Sequence, residues 1–205
     1  MITGIWKNER YSASRECLTP KSWEDFKFLC HSAGLPRVLY NYLDKKGEAY
    51  LSGALTLLLV AEKAHERAFD NTVPPILSWE AEFPVRRGRA DFMLYHDDGS
   101  ATVVELKDGS YGVQSLLAGI GQVIGYAMQI GMNNPGISCL RKALVFSSCG
   151  TVEDDQLIID ACEHAGVIPI PFGAERAFRK ATMDHLMGVL ESAFLPREVM
   201  QHVLF

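Results

Sequence analysis

No pair of cysteines in this chain of 205 residues is spaced C-x-x-C. Cys17, Cys30, Cys139, Cys149 and Cys162 are odd in number and scattered, which argues against a disulfide framework or a zinc knuckle. Reduced thiols in a cytoplasmic protein are the plain reading. The opening "MITGIWKNERYSASRE" lacks a cationic stretch followed by a long apolar run, so no secretory signal is expected. The most apolar stretch, "LSGALTLLLVA", is too short to span a bilayer and runs straight into "EKAHERAFD"; it reads as a buried helix, with no membrane partner. An excess of positive charge is missing too. Lys and Arg number 20 against 25 Asp and Glu, a formal charge of -5, so the chain lacks the broad positive field of a protein that coats nucleic acid nonspecifically. A carboxylate cluster holding divalent cations would be locally less negative than this count implies. Repeats and low-complexity segments are also absent.

What is present is 48% hydrophobic residues, enough for one well-buried domain with a small helical appendage. "LTPKSWEDFKFLCHSAG" reads as a helix, with Thr19 and Pro20 as N-cap and first helical residue and Gly34 as its C-terminal cap. A second short helix is expected in "PRVLYNYL", making residues 1–47 a helical N-terminal lead-in, with 48–205 as a single core domain. From Ser52 to about Asp70, Leu55, Leu58, Leu59, Glu62, His65, Glu66 and Phe69 fall along one broad helical face. "ILSWEAEFPVR", "ADFMLYH" and "ATVVELK" are β-rich runs, the last two joined by the turn signal "DDGS". Then follow a helix over "VQSLLAGIGQVIGYAMQIG", a strand in "KALVFSS", a helix in "VEDDQLIIDACEHAG" ending at Gly166, a strand in "VIPIPF" and a final helix over about 174–194. This order predicts an α/β protein with helices layered on a central mixed sheet.

The middle hairpin carries the chemistry. Alternation of side chains puts Glu105 and Lys107 on one face of their strand. If Asp97, Asp98 and Gly99 form a three-residue loop with Gly99 left-handed, His96 faces Ser100 and Asp91 falls opposite Glu105. A two-residue loop would instead pair Asp91 with Leu106 and separate the carboxylates. The first register is the expected one. One face then carries Asp91, Met93, Tyr95, Val103, Glu105 and Lys107, and the other Phe92, Leu94, Thr102, Val104 and Leu106. Two facing carboxylates in a partly buried site call for a cation between them, and Mg²⁺ or Mn²⁺ suits oxygen ligands. An ammonium on the same face can orient water and stabilise charge developing on a phosphate. Phosphodiester hydrolysis fits this set of groups.

Asp91 followed by Glu105-Leu106-Lys107 resembles the signature of the PD-(D/E)XK nuclease superfamily, whose fold is restriction-endonuclease-like, with α/β/α layers around a central mixed sheet. Gln122 and Tyr126 in "GQVIGYA" resemble the Q-x-x-x-Y helix of its RecB-like branch. The resemblance covers about residues 52–148. It implies a metal-dependent DNA nuclease with Asp91, Glu105 and the Leu106 carbonyl as metal ligands, Lys107 serving the water, and Gln122 supporting the site or contacting the nucleic-acid backbone. Glu62 is implied as a further metal ligand, with His65 or Glu66 as substitutes for it. Repair, recombination, restriction or a phage or other mobile element is the implied setting, alone, as a homodimer or within a larger nuclease assembly. The chain departs from the pattern at Ala90, where the family nominally has Pro before the Asp, and Cys139, Cys149 and Cys162 do not match the cysteine group of relatives that carry an iron-sulfur cluster, so the resemblance implies no cluster here.

Each of these residues also has a plainer reading. "ELK" by itself is a common solvated strand end. Gln122 and Tyr126 could equally pack at a helix-sheet junction. Arg86, Arg87 and Arg89 either hold phosphates near the site or form a solvated strand end. Trp6, Trp23 and Trp79 read as core before they read as base-stacking platforms. The rival to a nuclease is a catalytically silent member of the same fold that binds protein or nucleic acid.

Overall fold

The computed structural model describes residues 22–60, 73–134, 136–172 and 175–194. The described elements run α1 (Trp23–Ser32), α2 (Glu48–Val60), β1 (Ile76–Val85), β2 (Gly88–His96), β3 (Ala101–Lys107), α3 (Val113–Asn133), β4 (Leu140–Phe146), α4 (Val152–His164), β5 (Ile168–Pro171) and α5 (Glu175–Phe194). Two compact units result: residues 45–173 hold the sheet, while 1–44 group with 174–205. α5 belongs to the same unit as α1.

In the helical unit, α1 starts later than expected, because Ser22 rather than Thr19 is the N-cap: its Oγ accepts from Asp25 N at 3.1 Å. Thr19 and Pro20 lie outside the described residues. Gly34, at φ 75, ends α1 as expected, with Gly34 N donating to His31 O and Leu35 N to Cys30 O. The expected helix in "PRVLYNYL" is only a 3-10 turn, Arg37–Leu39, followed by further turns. A Tyr42–Thr182 hydrogen bond joins this segment to α5.

The sheet unit has five strands in the order β1-β2-β3-β4-β5, antiparallel up to β3 and parallel from β3 to β5. The turn between β2 and β3 takes the expected register. His96 N donates to Ser100 O, Gly99 sits at φ 76, and Phe92 pairs with Val104 and Met93 with Val103. On one face Met93, Val103, Leu144 and Phe146 pack under Leu116, Ile120 and Val123 of α3 and Ile158 and Cys162 of α4. On the other, Phe92, Leu94, Val104 and Leu106 are also fully buried. A sheet covered on both faces explains why β3 is buried at every position but the last, Lys107.

By length and composition α3 is apolar enough to cross a bilayer, and among the described residues it alone meets that test. Here one side of it, at Leu116, Gly119, Ile120, Val123 and Ile130, is buried. Helix α2 begins at Glu48, four residues before its expected start, directly after Gly47 at φ 62. Its expected continuation to about Asp70 lies outside the described residues from 61 onward.

Candidate active site

Registered pairing of β2 with β3 stops at Phe92 and Val104. Backbone polar groups alternate direction along a strand. Ala101 and Lys107 bond toward β4 and Ser100 toward β2, so the peptide of Leu106 faces β2 rather than β4. With the ladder ended, Leu106 N donates instead to Asp91 Oδ2 at 2.6 Å, and its carbonyl opens on the same split between the strands. Asp91 thus caps β3 and stands opposite Glu105, the register read from the turn.

Glu105 is 4% exposed, and its Oε2 is buried without a hydrogen-bond partner. The other oxygen, Oε1, accepts from Lys107 Nζ at 2.8 Å. Burial, and to a smaller degree the Asp91 charge, push Glu105 up to about 7 against the pull of Lys107. Burial likewise raises Asp91 above the usual carboxylate range, with Leu106 N and Lys107 opposing. For Lys107 burial works downward, yet the hydrogen bonds and charges of Glu105 and Glu48 leave it raised. Its ammonium is therefore a fixed cation on the carboxylate face.

Glu48 is the site residue that sequence reasoning missed. Its Oε1 lies 3.3 Å from Lys107 Nζ, so the ammonium bridges two carboxylates. The apolar period starts the helix at Ser52, which leaves Glu48 off it. The signal was local: a glycine in a left-handed conformation, then an acid in the first turn of an apolar helix. Glu62, His65 and Glu66, expected from the same helix, lie outside the described residues.

Helix α3 roofs the site through Gly119, where an added Cβ would come 2.6 Å from Lys107 Cγ and 3.0 Å from Leu144 Cδ1. Gln122, one turn further, is exposed. Tyr126 continues that face and lies against Gly88, where an added Cβ would meet its Oη at 3.0 Å. Of the three arginines, Arg89 pairs with Glu82, a residue at φ 58 opposite Asp91 in the β1–β2 register. Arg86 and Arg87 form the exposed turn between β1 and β2.

The residues fit a hard divalent cation. Two facing carboxylates, one with a buried unpartnered oxygen, and the Leu106 carbonyl are all oxygen donors. Among the described residues no group of three His, Cys, Asp or Glu side chains is gathered to hold a metal.

A five-stranded mixed sheet flanked by helices, with the acidic pair where β2 and β3 part, is consistent with a restriction-endonuclease-like fold. No family model matches the chain, and no curated protein does either. Among solved structures it is similar to a repair endonuclease from Pyrococcus abyssi, at 26% identity and a TM-score of 0.33. That match covers 45% of this chain and spans only 36% of the other.

Proposed function

We propose that this protein is a metal-dependent deoxyribonuclease of the PD-(D/E)XK type, hydrolysing DNA phosphodiester bonds with water. The observation that carries this reading is the facing of Asp91 and Glu105, with a buried unpartnered oxygen on Glu105 and the Lys107 ammonium beside it. Burying a carboxylate costs on the order of several kcal/mol per ion, and the Lys107 ammonium offsets only part of this, since Glu105 still stands raised to about 7.

Asp91, Glu105 Oε2 and the Leu106 carbonyl would hold Mg²⁺ or Mn²⁺, with Glu62, or His65 or Glu66, as a further ligand. A bound ion would supply Lewis-acid polarisation of the phosphoryl oxygen and make water acidic enough to attack at neutral pH. Lys107 Nζ orients the attacking water and stabilises the charge that develops on the phosphate. Glu48 holds that ammonium from the other side and fixes its position. Gln122 meets the DNA backbone next to the site, Tyr126 supports it, and Arg86 and Arg87 hold phosphates, with Arg89 secondary because Glu82 already pairs it. The setting is cytoplasmic DNA repair, recombination, restriction or a phage element, as a homodimer or within a larger nuclease assembly.

The test is cleavage of end-labelled single-stranded DNA, duplex DNA and RNA with Mg²⁺, Mn²⁺ or EDTA, comparing wild type with Glu105→Ala and Lys107→Ala. Metal-dependent cutting of DNA, reduced at least a hundredfold in both variants, is the expected result (about the worth of one such stabilising group). Silence of the wild type on every substrate, with no heat of metal binding, would assign the catalytically silent binding module instead.

A further inference from the structure

The turn between β1 and β2 is unusual in its residues. Tight hairpin turns favour Asn, Asp, Gly or Pro, each for a conformational reason. Here the two turn residues are Arg86 and Arg87, neither with positive φ, and the unusual conformation falls on Gly88 at φ 120. Turn geometry therefore gives no reason for the arginines. Among the described residues, neither guanidinium makes an ion pair.

The tip is also held from outside. Gln129 Oε1 accepts from Arg87 N at 2.9 Å, and Gln129 Nε2 returns to Gly125 O within α3. Tyr126 fills the space over Gly88 that a Cβ would need. Gly119, Gln122, Tyr126 and Gln129 share one face of α3, so a single rigid helix touches Lys107 at one point and the arginine turn at another. From Gly119 to Gln129 the helix rises about 15 Å at its usual step. Along β2, from Asp91 back to Arg87, the strand spans about 13 Å. The two routes agree.

We propose that Arg86 and Arg87 form a second phosphate-binding subsite, held about 13–15 Å from the carboxylate pair, with Gln129 and Tyr126 as its positioning residues. The ligand is the phosphodiester backbone of DNA, and the proposal rests on the nuclease reading only for where the cut falls. A substrate that ends before the turn forfeits these contacts. One that reaches it gains two charge contacts without base specificity.

The experiment is fluorescence anisotropy in EDTA, where no cleavage occurs, with a labelled duplex long enough to span both points and one too short to do so. Arg86→Ala/Arg87→Ala should weaken the long duplex about tenfold or more, lower its salt slope by about two, and leave the short one unchanged. Gln129→Met should weaken the long duplex while keeping the wild-type salt slope, since it frees the turn without removing charge. A variant that merely misfolds would lose both duplexes alike; Arg86→Lys/Arg87→Lys, which keeps the charge and disturbs packing least, then supports the subsite if it keeps the wild-type salt slope and overturns it if it does not. Equal binding of the long duplex by wild type and the double alanine variant overturns the subsite, as does a wild type that binds neither duplex. A subsite that passes in EDTA while the protein cuts nothing with Mg²⁺ or Mn²⁺ would leave the subsite standing and remove the nuclease reading.

Discussion

At Glu105 the folded protein binds a proton more tightly than the unfolded chain does, because burial lifts this carboxyl from 4.5 to about 7. Stability falls with rising pH wherever the folded state holds more protons. In the metal-free protein, the Glu105 contribution is therefore largest below about pH 4.5 and is lost as pH rises to about 7. Asp91 is raised as well and acts with the same sign. Lys107, raised above 10.5, changes charge only at higher pH and leaves this window untouched. Urea denaturation across the window should show the decline, and Glu105→Gln should reduce it to the part that Asp91 contributes; a decline of equal size in both proteins would assign the effect elsewhere. A second prediction concerns Gly119. In Gly119→Ala the new methyl displaces the Lys107 stem, since Cγ is 2.6 Å away. Overpacking of about 1–3 kcal/mol is partly offset by about 1 kcal/mol of helix propensity, so the melting temperature falls by no more than about 8 °C. Catalysis should fall at least about tenfold in kcat, the worth of about 1.4 kcal/mol at the transition state. An unchanged kcat would show that Lys107 has no positional role.

At the scale of elements, the link between β3 and α3 is the most constrained. Asp108 accepts from Ser110 N and Oγ and from Ser147 Oγ, while Gly109 N donates to Ser147 Oγ. A Cβ on Gly109 would lie 2.1 Å from Ser147 O and 2.5 Å from Ser148 O, and backbone on both sides cannot step aside. Gly109→Ala should cost about 3 kcal/mol or more, measured as a lower urea midpoint with an unchanged slope. The strand and helix limits in this region are largely legible in the sequence. The β-rich run "ATVVELK" coincides with β3 at both ends, and Gly34 and Gly166 mark the ends of α1 and α4. These signals are local, as turn conformation and strand alternation depend on neighbours in sequence. The start of α2 escapes them because Glu48 lies outside the apolar period that marks the helix, and that of α1 because two candidate capping residues, Thr19 and Ser22, precede it.

On the scale of the whole molecule, the split into two units gathers the carboxylates, the lysine and the arginine turn in residues 45–173. Divalent metal offers a global readout of that site. Mg²⁺ or Mn²⁺ should raise the melting temperature of the wild type, by the linkage of binding to folding, and EDTA should reverse the gain. Glu105→Gln should remove the shift; an equal shift in that variant would place the metal elsewhere. Sequence alone determined the acidic pair. The Gly99 turn sets the β2–β3 register, and alternation then carries Asp91 to face Glu105 and puts Lys107 beside it. Only tertiary structure decided that Glu48, 59 residues away from Lys107, grips the same ammonium, that Gln129 holds the turn 42 residues before it, and that α5 groups with the N-terminal segment. Short-range rules specify conformation and face, whereas partners distant in sequence meet only when apolar surfaces pack, and no local pattern records which ones will.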